Sequence, residues 1–222
     1  MGTELLDAYR AVRDRMSAIA LDLDADGLAT TVPSCPEWTV HDLLAHNVAI
    51  PAAIAVGDLP TGDQQAWLDG LVVARRGQPV DELVAEWATL DEVVGGVLSA
   101  TAVLLDDVAT HEHDLRAAVG RPDHDALAAD LVVPAALLTL LDGLTAADVG
   151  SIVIESPEGT WRSHDAEPGW TISAPAWEAF RAVGSRRTAD ELRALPGSGD
   201  VEAFIPVLDD HLPLPRTSLR EL

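Results

Sequence analysis

The sequence has a single cysteine, Cys35, and no lysine among its 222 residues. One cysteine cannot form an intrachain disulfide, and such low usage is typical of proteins from a reducing compartment. The 14 basic residues are all arginine and are opposed by 37 acidic residues, so the formal net charge is −23. Because this charge repels phosphate backbones and anionic lipid surfaces, we expect neither a nucleic-acid nor a membrane partner.

Long uninterrupted apolar runs are absent as well. The most apolar stretch, residues 131–144, contains Pro134, Asp142 and Gly143 and is too short to span a bilayer. Charged residues punctuate the N-terminal segment, which therefore does not have the pattern of a signal peptide. We therefore expect a soluble cytoplasmic protein. Its 48% of hydrophobic residues is enough for a substantial core, and the chain is expected to be a monomer or a homodimer.

Four amphipathic helices are predicted in the N-terminal half of the chain. In each of them apolar residues recur at steps of three and four, the pattern of a helix with one buried face. The predicted helices cover residues 4–22, 40–57, 80–98 and 102–119, with connections at 24–36 and 58–77. Amphipathic helices joined in this way favour a four-helix bundle.

The pattern changes from about residue 125 onward. Residues 126–144 predict an apolar helix broken at Pro134. Short strands are predicted at 151–155, 160–162 and 170–173, and helices at 176–183 and 189–195, the last capped by Thr188. We therefore predict a mainly α protein, with a helical bundle over residues 1–148 and a small α+β domain over residues 149–222.

The helix predicted at 102–119 has polar side chains on the face that should be buried. His111 continues the apolar stripe of Val108 and Leu115. Asp107 lies beside this stripe, one helical turn before His111. A buried carboxylate pairs, becomes protonated or binds a cation, because leaving it unpaired is costly. Asp107 and His111 can reach one metal ion, and Asp114 could orient the histidine.

A third ligand is predicted on the helix that begins at Val40. Thr39 has the position of an N-cap, and Asp42 follows three residues later, as in a capping box. His46 then lies on the inward stripe of this helix and is a second polar residue expected in the core. Two histidines and one carboxylate suit Zn, Ni or Fe, and such sites form between facing helices of a bundle.

Two other interpretations of these residues stay open. A single inward histidine is more often a core residue hydrogen-bonded to a carbonyl group than a metal ligand. If the fourth helix is rotated, Glu112 and His113 would replace Asp107 and His111. Because polar residues interrupt the apolar face of two separate helices, we favour a metal site made of His46, Asp107 and His111.

Two segments resemble a known family. Residues 35–46, CPEWTVHDLLAH, and residues 107–122, DVATHEHDLRAAVGRP, are similar to the mycothiol-dependent maleylpyruvate isomerase family, whose DinB-like four-helix domain binds a metal. The family pattern is W-T/S-V-x-D-L-x-x-H on one helix and E-x-x-x-H-x-x-D-L on another. Its ligands fall on His46, Asp107 and His111. Aspartate stands at position 107 where the family usually has glutamate, which shortens this ligand by one methylene group.

The resemblance implies a divalent metal, with zinc first and nickel or iron as alternatives, and mycothiol or a similar low-molecular-weight thiol. In the family, the thiol adds to the cis double bond of maleylpyruvate, the bond rotates, and the thiol leaves to give fumarylpyruvate. Related members would stop at the adduct and act as S-transferases. The expected partners are thus the thiol and a small electrophile. An acidic substrate needs cationic groups, for which Arg186 and Arg187 are the candidate catalytic pair and Arg162 and Arg116 are further candidates.

Two other functions are compatible with the same residues. The protein could be a non-catalytic binding module whose metal site has degenerated, for which Asp107 is the best evidence. It could also be a metal-dependent hydrolase, with Asp42 or Glu112 as the general base. Cys35 precedes a helix N-terminus that could lower its pKa, but we interpret it as a small loop residue.

Overall fold

In the computed structural model, which describes residues 2–124 and 128–219, the chain folds into two compact units, Met1–Pro122 and Asp123–Glu221. The first unit begins with helix α1 (Gly2–Asp22) and the short helix α2 (Ala25–Leu28). An antiparallel pair of strands follows, β1 (Thr31–Val32) and β2 (Cys35–Thr39). The remaining helices of this unit are α3 (Val40–Ala55), α4 (Gln64–Val73), α5 (Val80–Ala88), α6 (Asp91–Leu98) and α7 (Val103–Ala118).

The first unit is organised around a four-helix bundle made of α1, α3, the pair α5 and α6, and α7. Each of these helices buries the apolar face that its spacing predicts. The core contains Tyr9, Val12, Met16, Leu43, Leu44, Val48, Leu83, Trp87, Val94, Leu105, Val108 and Leu115. Within it, the Trp87 indole N–H donates a hydrogen bond of 2.8 Å to the Tyr9 hydroxyl, so its polar atom is satisfied. The mainly α architecture is therefore confirmed.

The continuous helix predicted at 80–98 is wrong. The structure interrupts it at Thr89 and Leu90. As a result Leu98 is buried, whereas Val97, which the spacing of a continuous helix would place on the buried face, is half-buried. Asp91 opens α6, and its carboxylate accepts a hydrogen bond of 2.5 Å from Arg13 of α1. A tertiary ion pair next to the break stabilises the start of a new helix, which apolar spacing does not reveal.

Both segments predicted as connections contain regular structure. Helix α4 lies within residues 58–77, and the Asp63 side chain caps it by accepting from the Ala66 backbone N–H at 3.1 Å. Strands β1 and β2 lie within or directly after residues 24–36. The pair ends at Thr39, where α3 begins, so the hairpin leads the chain directly into a helix of the bundle.

The predicted capping box at the start of α3 is confirmed. The Asp42 backbone N–H donates to the Thr39 hydroxyl at 3.1 Å, and the Asp42 carboxylate accepts from the Thr39 backbone N–H at 3.2 Å. This reciprocal pair satisfies two backbone donors and fixes the first turn of α3, which sets the direction of the side chains one turn later.

We expect Thr39→Ala to lower the free energy of unfolding by about 1 kcal/mol, the usual cost of losing an N-cap hydroxyl. Urea unfolding followed by circular dichroism would measure the change in midpoint. Thr39→Ser is the matched control, because it keeps the hydroxyl and should stay within a few tenths of a kcal/mol of the wild type. Equal midpoints for Thr39→Ala and the wild type would show that the cap contributes nothing.

The second unit combines helices with a four-stranded sheet. It contains α8 (Ala129–Thr139), α9 (Leu141–Ala147), β3 (Ser151–Ser156), β4 (Gly159–Arg162), β5 (Pro168–Ser173), α10 (Ala176–Val183), α11 (Ala189–Ala194), β6 (Gly197–Gly199) and α12 (Val201–His211). The strand order is β4-β3-β5-β6, with β3 and β5 parallel and the other pairs antiparallel. Gly197 and Gly199 have φ values of +152° and +97°, and a Cβ on either would clash with the backbone of β5.

Most elements predicted in this region are confirmed, and the differences are local. The hairpin, the third strand, both helices and the Thr188 cap are present. The predicted break at Pro134 is wrong, because α8 continues through this proline and the bend of 45° comes before Leu141. Residues 126 and 127 of that predicted helix lie outside the described residues. The units divide before α8, whereas the predicted domain boundary follows residue 148.

Within the described ranges, no single helix is both long and apolar enough to cross a membrane. Two bent pairs reach that length and composition only when their helices are taken together, α6 with α7 and α8 with α9.

Candidate metal centre

The three predicted ligands lie close together inside the first unit. One ligand atom from each of His46, Asp107 and His111 lies within 4.8 Å of the other two. His46 comes from α3, and Asp107 and His111 come from successive turns of α7. The two histidine side chains are 6% and 8% exposed, whereas the Asp107 side chain is 30% exposed. The group is therefore buried on its histidine side and reaches solvent beside the carboxylate.

The separations within this group suit a shared cation better than direct hydrogen bonds. Asp107 Oδ1 lies 3.5 Å from Nε2 of His46 and 3.5 Å from Nε2 of His111. A good N–H···O hydrogen bond is about 2.9 Å long. Two donor atoms that are each about 2.1 Å from a tetrahedral ion are about 3.4 Å apart. The three side chains thus fit a divalent ion, and the shorter Asp107 carboxylate still reaches both histidines.

Asp114 determines which nitrogen of His111 faces the group. Its carboxylate, fully buried, lies 3.1 Å from His111 Nδ1 and accepts a hydrogen bond from it. With the proton on Nδ1, the lone pair of a neutral His111 points from Nε2 toward Asp107. A lone pair facing a carboxylate is repulsive unless a proton or a cation lies between them. The predicted role of Asp114 as the orienter of His111 agrees with this geometry.

The charges around His111 favour a proton on Nε2, between the His111 ring and the Asp107 carboxylate. Burial alone would lower the pKa of His111, but the carboxylates of Asp107 and Asp114 raise it to about 9. Burial would raise the pKa of Asp107, but the two histidines hold it well below its usual range. A divalent cation bound here would take the place of the His111 proton and keep the Asp107 charge compensated.

The β1–β2 hairpin forms one wall of the site, which the sequence interpretation missed. The Trp38 ring is half-buried, and its centroid lies 4.8 Å from the His46 ring and 6.3 Å from the His111 ring. Cys35 is also half-buried, and its Sγ lies within 4.8 Å of ligand atoms of His111 and Asp114. The available signal was the first motif itself, because it begins at Cys35 and includes Trp38.

The alternative ligands on α7 are engaged elsewhere. The Glu112 carboxylate accepts hydrogen bonds from Arg15 at 2.7 and 2.6 Å and from Arg116 at 2.9 Å. In the part of the chain that the structure describes, neither Glu112 nor His113 belongs to a group of three possible metal ligands. The Asp42 carboxylate caps α3 and accepts from Arg76 at 2.9 Å. Both carboxylates considered as general bases therefore have structural contacts.

The predicted catalytic arginines belong to the second unit and are buried there. Arg187 Nε and Nη2 donate to the two carboxylate oxygens of Glu178 at 2.7 and 2.6 Å. The Arg187 guanidinium also lies 5.7 Å from the centroid of the Trp177 ring. Arg186 Nη1 donates to the Gly184 carbonyl at 3.1 Å. A substrate carboxylate would have to displace Glu178 to use the planar fork of Arg187, and the catalytic role of the pair stays a prediction.

A comparison with known protein families finds a match that includes the three residues of the candidate metal centre. The family model of the mycothiol maleylpyruvate isomerase N-terminal domain matches residues 9–142, more than half of the chain. This match includes His46, Asp107, His111 and the hairpin. No curated protein and no solved structure matches the chain. The chain therefore belongs to the mycothiol maleylpyruvate isomerase N-terminal domain family.

Proposed function

We propose that this protein is a metal-dependent enzyme that uses a low-molecular-weight thiol, of the mycothiol type, to attack a small electrophile. The observation that carries the proposal is the convergence of His46, Asp107 and His111 with spacings that suit one divalent ion, in a family defined by a mycothiol-dependent enzyme. Three protein ligands are the usual set of a catalytic site, because they leave a position for an exogenous group.

An exogenous ligand could reach this open position from the side of the Asp107 carboxylate. The Asp107 side chain is 30% exposed, although both histidine side chains are at least 92% buried. Trp38 lies against the His46 ring and is itself half-buried. A ligand that approaches Asp107 would therefore meet a polar entrance and an aromatic wall, an arrangement typical of small-molecule sites.

The residues of the chain have separate roles in this proposal. When held by His46, Asp107 and His111, a divalent ion would lower the pKa of a thiol and so supply a thiolate at neutral pH. Asp114 holds the His111 proton on Nδ1 and so keeps Nε2 available as a ligand. Trp38 covers the histidines and limits the access of water to them.

Two reactions share this nucleophile. Addition of the thiol to a cis double bond conjugated with a carbonyl group, rotation and loss of the thiol would give a cis–trans isomerase. Addition without loss, or displacement of a leaving group, would give a thiol S-transferase. The contacts of Asp42 and Glu112 favour these reactions over hydrolysis, because both candidate bases are engaged by arginines.

The test uses zinc-loaded protein with mycothiol or glutathione as the thiol, and maleylpyruvate or monochlorobimane as the electrophile. Mass spectrometry would detect the thiol adduct, and ultraviolet absorbance would follow conversion of the cis acid. We expect turnover that needs both metal and thiol and that is lost in His111→Ala. Cys35→Ser is the matched control, because it removes the protein's own thiol and should retain turnover.

Binding of the thiol can be measured apart from turnover. In cobalt-loaded Cys35→Ser protein, a thiolate-to-cobalt absorption band can arise only from the added thiol, since the chain has no other cysteine. A band without turnover of either electrophile would assign the protein to thiol binding rather than catalysis. Turnover that consumes water and ignores the thiol would replace the proposal with a hydrolase.

A further inference from the structure

A second group of possible metal ligands lies beside the first and shares one residue with it. Ligand atoms of Cys35, His111 and Asp114 lie within 4.8 Å of one another. Cys35 comes from the hairpin strand β2, and the other two come from α7. Thiolate, imidazole and carboxylate together are a ligand set that suits zinc and other thiophilic divalent ions.

His111 lies between two carboxylates, one on each side of its ring. Nε2 is 3.5 Å from Asp107 Oδ1, and Nδ1 is 3.1 Å from Asp114 Oδ2. A neutral imidazole has one N–H and one lone pair, so it can donate to one carboxylate while its other nitrogen binds a metal. Either tautomer of His111 therefore has a carboxylate that accepts its N–H.

The two tautomers correspond to two metal positions. With the proton on Nδ1, the N–H is donated to Asp114, and Nε2 faces the group of His46 and Asp107. With the proton on Nε2, the N–H is donated to Asp107, and the lone pair on Nδ1 faces Asp114, which belongs to the same group of possible ligands as Cys35. We propose that Cys35, His111 and Asp114 form a second, alternative position for a thiophilic divalent ion such as Zn²⁺ or Cd²⁺.

Binding at this position is balanced in protons and charge. In the metal-free protein near neutral pH, His111 carries a proton on each ring nitrogen. On binding, the Cys35 thiol and His111 Nδ1 each lose one proton to solvent, Nε2 keeps its proton toward Asp107, and the Asp114 carboxylate turns from a hydrogen-bond acceptor into a ligand. Two anionic ligands and one neutral ligand then compensate a dication. Because a neutral His111 has a single lone pair, it serves one ion at a time, and the two positions exclude each other.

The experiment titrates Cd²⁺ into reduced protein that has been stripped of metal, and it follows the ultraviolet thiolate-to-cadmium absorption. The sequence has one cysteine, so any such band comes from Cys35. We expect a band in the wild type, a stronger band in His46→Ala, which weakens only the first position, and no band in Cys35→Ser. Asp114→Asn should weaken the Cd²⁺ affinity of the band by 10-fold or more, the usual effect of losing a carboxylate partner, which is about 10- to 100-fold.

A second measurement follows the chemical reactivity of the Cys35 thiol. Cd²⁺ should protect Cys35 from alkylation by iodoacetamide in the wild type, and His111→Ala should abolish this protection. The absence of both band and protection would overturn the proposal. The proposal would also be overturned if His111→Ala and Asp114→Asn both bound Cd²⁺ with the wild-type affinity, since Cys35 would then bind cadmium without these two residues. Cys35→Ser that still binds one ion shows that the first position is intact, so the two proposals fail separately.

Discussion

In a Cys35→Ser background, in which the proposed second position lacks its thiolate, alanine at His46 or His111 is expected to abolish stoichiometric binding of a divalent ion. Metal sites with four ligands contribute about 12 to 16 kcal/mol of binding free energy, or about 3 to 4 kcal/mol for each ligand. Loss of one ligand therefore weakens affinity by about 10²- to 10³-fold, at about 1.4 kcal/mol for each factor of ten. Elemental analysis after gel filtration should find near one zinc per chain in Cys35→Ser and almost none when His46 or His111 is also replaced by alanine.

The controls use other histidines and the carboxylate. His41 lies on the same helix as His46, but its Nε2 bonds to the Gln78 carbonyl at 2.8 Å, so His41→Ala should keep the ion. Asp107→Asn removes the charge and should weaken binding, whereas Asp107→Glu keeps a carboxylate and should retain it. Loss of the ion in His113→Ala, together with its retention in His111→Ala, would mean that the rotated arrangement of α7 is the correct one.

The candidate site could be predicted because its residues contradict the pattern around them. His46 and His111 lie on stripes that are otherwise apolar, and both are buried in the structure. A helical period of 3.6 residues places Asp107 one turn from His111, so their proximity follows from sequence alone. The sequence of neither helix shows that α3 and α7 face each other. Their contact is predicted only from the bundle architecture, which the four amphipathic helices together imply.

The elements that could not be predicted depend on contacts between distant residues. The break before α6 is held by Asp91 and Arg13, which are far apart in sequence, so spacing within the helix gives no sign of it. Strand β1 has only two residues, and the five residues of β2 do not alternate between buried and exposed positions, so neither strand shows a period of two. For that reason the wall of the site, with Cys35 and Trp38, was missed although its residues belong to the recognised motif.

Metal affinity is expected to fall steeply with decreasing pH, because the ion competes with a proton on His111. The Asp107 and Asp114 carboxylates overcome the effect of burial and raise the pKa of His111 to about 9, from 6.5. A metal binds only the neutral imidazole, so each ion displaces one proton at any pH below about 9. The dissociation constant for zinc should therefore rise about tenfold for each pH unit lost, or about 100-fold from about pH 8 to about pH 6.

Isothermal titration calorimetry in two buffers of different ionisation enthalpy measures the number of protons released, which should be close to one at neutral pH. Asp114→Asn sharpens the test, because it removes one of the two charges that raise the pKa of His111. The pH below which affinity falls should then move toward the ordinary histidine range, while affinity at high pH drops by about 10- to 100-fold. An affinity that is constant over this range, with no proton release, would show that His111 Nε2 is not a ligand. A pH profile that is identical in the wild type and Asp114→Asn would show that the Asp114 contact does not influence metal binding. That result would contradict both metal positions, because Asp114 orients His111 in the first and is a ligand in the second.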